Sequence, residues 1–271
     1  MKITALTENT TKIPGLATVH GLSVHIETPK HKMLFDLGPD ETFSKNAEAL
    51  GIDLAEVDIV VISHGHYDHC GALGEFLEIN DKAKVYIRRQ AFDPHFADTG
   101  SSRKFNGLDA DLAGNERLVF TDERSRIDDE LFVFSGVSDI LETNSRRVLF
   151  KQAPEGYVQD DFDHEQSLIV TADNKTVLFS GCSHAGIDSI MSAACRYQPG
   201  IEAVFGGFHM SNPDSGATEP EELMQGLAER LAAHEAVFHT CHCTGEKAYA
   251  FMLRTMGEKL KYFSAGTVVE L

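Results

Sequence analysis

The residues of this chain best suited to chemistry are Ser63-His64-Gly65-His66-Tyr67-Asp68-His69-Cys70. Three histidines and one aspartate fall between positions 64 and 69. Imidazole and carboxylate donors suit zinc, and they also suit iron and manganese. A His-x-His-x-Asp-His string on one tight loop can offer its first two histidines to one ion. The Asp-His pair can then serve a second ion about 3.5–4 Å away, a spacing at which two metals polarise a substrate and activate water. The competing reading is a solvated, histidine-rich turn. The preceding run argues against it, because Val57-Asp58-Ile59-Val60-Val61-Ile62 reads as a buried strand that delivers the loop at its end.

The elements that must position this loop fall into two similar halves. Strands are expected over residues 3–7, 23–27, 32–36 and 57–62, with a helix over 42–50 that Gly51 stops. A second helix is expected at 71–77, directly after the metal loop, and a strand at 84–87. The second half repeats the rhythm, with strands at 117–120, 131–134, 148–150, 167–171 and 176–179. Helix 185–194, strand 201–205, amphipathic helix 219–234, strand 236–240 and helix 246–256 follow. Strand-then-helix halves without strict alternation fit two sheets packed face to face under outer helices, an α/β (α+β) arrangement. Residues 93–114 differ: they are polar and broken by Pro94, Gly100, Gly107 and Gly114. They read as an inserted loop, either a substrate-facing flap to which Phe96, Arg103, Lys104 and Phe105 give aromatic and charged surface, or a plain surface excursion.

Composition narrows the function classes. The 271 residues carry a formal net charge of −18, and no lysine- or arginine-rich run occurs. That argues against broad nucleic-acid binding, which needs a basic footprint. The five cysteines are an odd number, and Cys70, Cys182, Cys241 and Cys243 sit in or beside histidine motifs. This suits free thiols in a reducing compartment, so a cytoplasmic protein is expected. No apolar run reaches the ~20 residues of a membrane span. Monomer and homo-oligomer both remain open.

The histidine string resembles the metallo-β-lactamase superfamily, and four further motifs, one before it and three after, stand in that superfamily's order. They are Leu34-Phe35-Asp36-Leu37-Gly38, then Asp163-His164-Glu165-Gln166-Ser167-Leu168, then Ser180-Gly181-Cys182, and finally Phe238-His239-Thr240-Cys241-His242-Cys243. Leu6-Thr7-Glu8-Asn9-Thr10, Gly181-Cys182-Ser183-His184-Ala185-Gly186-Ile187 and Gly206-Gly207-Phe208-His209 look like one subgroup of it. Its members are labelled metal-dependent hydrolases or dihydropterin ribofuranosylaminobenzene phosphate synthase-like proteins. The resemblance implies a single four-layer αββα sandwich over residues 1–271.

It also implies roles. His64, His66 and His164 would hold a first metal, and Asp68, His69 and His242 a second. One or two zinc ions are expected, with iron or manganese as alternatives. Cys182 stands where the superfamily usually has a bridging aspartate, and ligation there competes with a buried structural thiol. Asp36 would orient the histidine loop, and Glu8 and Asn9 would reach the mouth of the site. His184 starts a probable helix whose free N–H groups, over Ser183–Gly186, could bind an anion. It is read as a substrate or acid–base contact, as a metal ligand in place of His164, or as a structural residue. His209, just past a strand end and a Gly-Gly pair, is a candidate general acid. His20, His25, His31, His95, His234 and His239 are expected to be structural or superficial. The reaction implied is hydrolysis, or a related transfer, on a small anionic metabolite, phosphorylated or pterin-like. Water activated at the metals and oriented by Asp68 would attack. A mono-iron redox enzyme of the sulfur dioxygenase type and a non-catalytic metal or ligand sensor are the alternatives.

Overall fold

Side-chain alternation along the strands decides the architecture. In the computed structural model, which describes residues 1–138, 141–144, 146–213 and 215–271, Met33, Phe35, Ile59 and Val61 face one way. Leu34, Val60 and Ile62 face the other. The first set meets Val133, Val170, Val177 and Phe179 of a second sheet, and the other packs on Phe43, Leu73 and Phe76 of helices. Successive strand residues point to opposite faces, so a strand apolar on both faces must be covered twice.

The first sheet has the order β18-β1-β2-β3-β4-β5-β8. Its strands are β1 (Lys2–Thr7), β2 (Ser23–Glu27), β3 (Lys32–Phe35), β4 (Ile59–Val61), β5 (Lys84–Ile87), β8 (Leu118–Phe120) and β18 (Val268–Glu270). Helices α1 (Thr42–Ala49), α2 (Tyr67–Cys70) and α3 (Leu73–Ile79) belong to this half. The second sheet has the order β17-β16-β15-β14-β13-β10-β9. It comprises β9 (Arg124–Arg126), β10 (Leu131–Ser135), β13 (Gln166–Ala172), β14 (Lys175–Phe179), β15 (Ala203–Gly206), β16 (Val237–Thr240) and β17 (Leu260–Tyr262). Its outer face buries Leu178, Val204 and Phe238 under α4 (Ile187–Tyr197), α5 (Glu221–Ala232) and α6 (Glu246–Met256). Helices, two sheets and helices make the four expected layers. Among the described residues no helix is long and apolar enough to cross a membrane.

Two local expectations change. The helix expected after the histidine loop is present as Leu73–Ile79, but Tyr67–Cys70 is helical too, so Asp68 and His69 ride on a helical turn of their own. Residues 93–114 are not wholly irregular. β6 (His95–Asp98) and β7 (Arg103–Phe105) form a hairpin that joins β11 (Leu149–Ala153) and β12 (Gly156–Gln159) in a third sheet, ordered β12-β11-β6-β7. The glycine- and proline-rich composition hid strands whose partners lie some fifty residues away in sequence.

One ionic clamp ties the two large sheets together away from the site. His31 donates from Nδ1 to Asp58 and from Nε2 to Asp128, each at 2.6 Å, so its ring is an imidazolium. Burial lowers its pKa, but the two carboxylates outweigh burial and raise it. With the folded pKa above the unfolded one, the clamp contributes fully below about pH 6.5 and is lost as pH rises through the folded value. His31→Asn is expected to cost about 1–2 kcal/mol near pH 6 and much less near pH 9, measured by urea unfolding. An equal cost at both pH values would contradict the clamp.

Candidate metal centre

Five strands deliver the site from their carboxyl ends. Asp36 follows β3, Ser63 to His69 follow β4, Cys182 and His184 follow β14, His209 follows β15, and His242 follows β16. Within each sheet these strands run parallel to one another, so their carboxyl ends open on the same edge. Ligand sites favour that edge in open parallel sheets. Asp36, Ser183, His209 and His242 all have positive φ, between 51° and 60°. Such backbone costs free energy and persists where surrounding contacts hold it, commonly at functional sites. Two glycines permit the crowding. A Cβ on Gly65 would lie 2.3 Å from the Ala91 carbonyl oxygen, and one on Gly206 2.0 Å from that of Ser180.

Hydrogen bonds fix which ring nitrogen of each histidine faces the centre. Ser63 Oγ donates to Asp36 Oδ2 at 2.7 Å and therefore accepts from His64 Nδ1 at 2.8 Å, leaving the His64 Nε2 lone pair inward. His69 Nδ1 donates to Asp36 Oδ2 at 2.7 Å, and His242 Nδ1 donates to Asn9 Oδ1 at 3.0 Å. Their Nε2 atoms then meet each other at 3.2 Å. The Cys182 Sγ lies 3.1 Å from His69 Nε2, and Asp68 Oδ2 lies 3.2 Å from His242 Nε2. The His64 and His184 Nε2 atoms face at 3.3 Å, while the buried Nε2 of His66 has no hydrogen-bond partner.

This donor set fits metal ions. Ligands about 2.0–2.1 Å from a tetrahedral ion stand about 3.3 Å from one another. Among the described residues four groups have their donor atoms within 4.8 Å of one another, and two of them meet at the centre: His64, His66 and His184, and Asp68, His69, Cys182 and His242. Burial first, and then neighbouring imidazoles, hold His64, His66 and His184 well below the usual histidine range, so they are neutral, the form that ligates. Burial opposes the charge of Asp68, but His69, His20 and His242 outweigh it and keep the carboxyl ionised.

His164 is placed differently from the expectation that joined it to His64 and His66. Its Nδ1 accepts from the Gly65 N–H at 2.9 Å and its Nε2 donates to Asp160 Oδ2 at 3.3 Å. Both ring nitrogens are used, and His184 occupies the place beside His64 instead. Asp160 also accepts from His95 Nδ1 at 3.0 Å, and His95 Nε2 donates to the Gln90 carbonyl at 3.1 Å. Although His66, His95, Asp160 and His164 cluster, the hydrogen bonds of His95 and His164 brace the His66 loop and leave neither a free lone pair. The anion pocket expected at Ser183–Gly186 is also filled from within. Glu165 accepts the His184 N–H at 2.6 Å and the Ala185 N–H at 3.0 Å, and Gly186 N donates to the Ser183 carbonyl.

Glu8 and Asn9 lie under the site rather than at its mouth: buried Glu8 accepts the His242 N–H at 2.7 Å. His25 and His239 are structural, each pushed down to about 4 by burial. His20 was missed. Its Nε2 lies 3.3 Å from Asp68 Oδ2 and its ring 4.5 Å from that of His242. His95, Asp160 and Glu165 were also missed. Only the Asp160-to-His164 spacing of four residues hinted at them.

The centre floors a cavity of about 550 Å³. His20, Asp68, His184, His209 and His242 line it below, and residues of the third sheet line it above. His209 is in reach of Cys182 and His184, with ring centroids of His184 and His209 4.4 Å apart.

Comparison with known proteins agrees with this geometry. The profile of the Metallo-beta-lactamase superfamily matches residues 17–209. The crystal structure of Tm1679, a metal-dependent hydrolase of the beta-lactamase superfamily, superimposes with a TM-score of 0.81 at 28% identity, covering 100% of this chain and 99% of that one. A 7,8-dihydropterin-6-methyl-4-(beta-D-ribofuranosyl)-aminobenzene-5'-phosphate synthase of Methanocaldococcus jannaschii is 27% identical over 93% of this chain and 90% of its own length. Zinc-bound PqqB of Methylobacterium extorquens shares the fold at a TM-score of 0.57 and 10% identity, with 100% of both chains covered. By profile, fold and motif order, this chain belongs to the metallo-β-lactamase superfamily.

Proposed function

We propose that the chain is a metal-dependent hydrolase, or a transferase built on the same chemistry, acting on a small anionic metabolite. The observation that carries this reading is the convergence of inward imidazole lone pairs, one thiol and one carboxylate on the floor of an open cavity. His64, His66 and His184 would hold one ion, and Asp68, His69, Cys182 and His242 a second. The mixture of imidazole and thiol donors favours zinc. Bound there, the ions supply Lewis acidity and a lowered pKa for water.

The chain's own groups supply the rest. Asp68 accepts from His20 Nε2 at 3.3 Å, and its ionised Oδ2 would orient an attacking water and take its proton. His209 lines the same cavity and would protonate the leaving group. The Methanocaldococcus jannaschii relative is named for making a phosphorylated dihydropterin derivative. Phosphate esters of flat heterocycles are therefore the class to test first.

Removal and return of metal tests the reading. Chelation should lower turnover of a phosphate-ester and thioester panel by at least about 100-fold, and zinc should restore it. Turnover that survives complete metal removal would contradict the proposal. Oxygen uptake by the iron-loaded protein, without hydrolysis, would instead favour the redox alternative.

A further inference from the structure

The cavity is bounded on one side by the third sheet, and the row of side chains presented there ends on a lysine. Leu149, Ala97 and Lys104 are direct cross-strand partners on β11, β6 and β7. Directly opposed residues share one face of a sheet. All three line the cavity. The other face is a packed aromatic surface: the Phe96 and Phe105 rings lie 5.7 Å apart, and the Arg103 guanidinium sits 3.9 Å over Phe150. That packing holds the hairpin beside the cavity, where the exposed Lys104 lines the wall and Phe105 and Asp98 reach the same space.

Lys104 is the one lysine or arginine among the described cavity-lining residues. It has no ion-pair partner there, because the nearby Asp98 carboxylate is turned to Arg103 Nε at 3.9 Å and to the Gly100 N–H at 2.8 Å. The backbone donors at His184 and Ala185, which could have held an anion, are spent on Glu165. In a chain with a net charge of −18, an unpaired ammonium at the cavity wall provides the local attraction for an anion that the overall field opposes.

We propose that Lys104 selects the substrate: it grips an anionic group remote from the reacting bond, joined to it by an apolar or aromatic body lying along Leu149 and Ala97. The identity of the reacting end rests on the hydrolase reading; the grip does not. The metals take one end of such a molecule and Lys104 the other, so neutral molecules with the same reactive bond bind less well.

Equilibrium binding to the metal-loaded protein tests this without turnover. The probes are benzylphosphonate and para-carboxybenzylphosphonate, which differ only in the remote charge. The wild-type protein should prefer the carboxylated probe by about fivefold, the strength of one partly exposed ion pair. Lys104→Gln should abolish that preference and Lys104→Glu reverse it, with metal content unchanged and the affinity for benzylphosphonate reduced less than that for the carboxylated probe. Equal binding of the two probes by the wild type, or a preference that survives Lys104→Gln, would overturn the assignment. A protein that shows the preference yet hydrolyses no ester keeps Lys104 as the grip and loses the hydrolase reading.

Discussion

Alanine at His184 removes an ion and collapses turnover, whereas alanine at His164 leaves the metal stoichiometry intact. The two expected results differ because the two rings are used differently. His184 Nε2 faces His64 Nε2 at 3.3 Å, and its burial keeps it neutral. Deleting it leaves two imidazoles, too few to close a three-histidine site. His164 binds the Gly65 N–H and Asp160 instead, so its loss loosens the loop that carries His64 and His66. Residues that orient ligands in this way typically cost 10–100-fold in metal affinity. Elemental analysis after dialysis, with turnover measured alongside, should show about one ion fewer for His184→Ala and an unchanged count at saturating metal for His164→Ala. The reverse pattern would restore His164 as the ligand.

Asp68→Asn is the second large effect. The substitution keeps the shape and removes the charge. In the folded chain Asp68 Oδ2 is approached by His20 at 3.3 Å, His69 at 3.8 Å and His242 at 3.2 Å, and these hold it ionised against burial. An amide there can neither take a proton from water nor balance a cation. Turnover should fall by about 10²–10⁴-fold. Thermal stability of the metal-free protein should fall by no more than a few degrees, because the side chain is at the cavity surface. A variant that keeps wild-type turnover would remove Asp68 from the reaction. A variant that simply unfolds would mark it as part of the scaffold.

The legible part of this chain was its strong local pattern. The apolar run ending at Ile62 and the histidine string after it identify one strand, one loop and several of the donors that the structure brings together. The near-continuous apolar run Val57–Ile62 reads as a strand covered on both faces. The four-layer αββα arrangement is implied by the motifs that resemble the superfamily. What stayed hidden depends on contacts distant in sequence. Glu165 reaches the N–H groups of residues 184 and 185 and so empties the expected anion pocket of free donors. His95 and His164 satisfy each other's neighbourhood through Asp160, and no local spacing announces that His164 is spent while His184 is not. The hairpin at 95–105 has weak strand composition and is made by pairing to β11. His20 looked superficial because the glycine-rich turn beside it gives no sign that Gly21 lies against the Asp68 carbonyl.

The most direct test is an anomalous-scattering map of the metal-loaded crystal, collected at the zinc edge. The account predicts a peak about 2.0–2.1 Å from nitrogens of His64, His66 and His184, and a second bounded by Asp68, His69 and His242 with the Cys182 sulfur near 2.3 Å. A single peak bound by His64, His66 and His164, with His184 turned away and the Cys182 sulfur beyond about 4 Å, would contradict it.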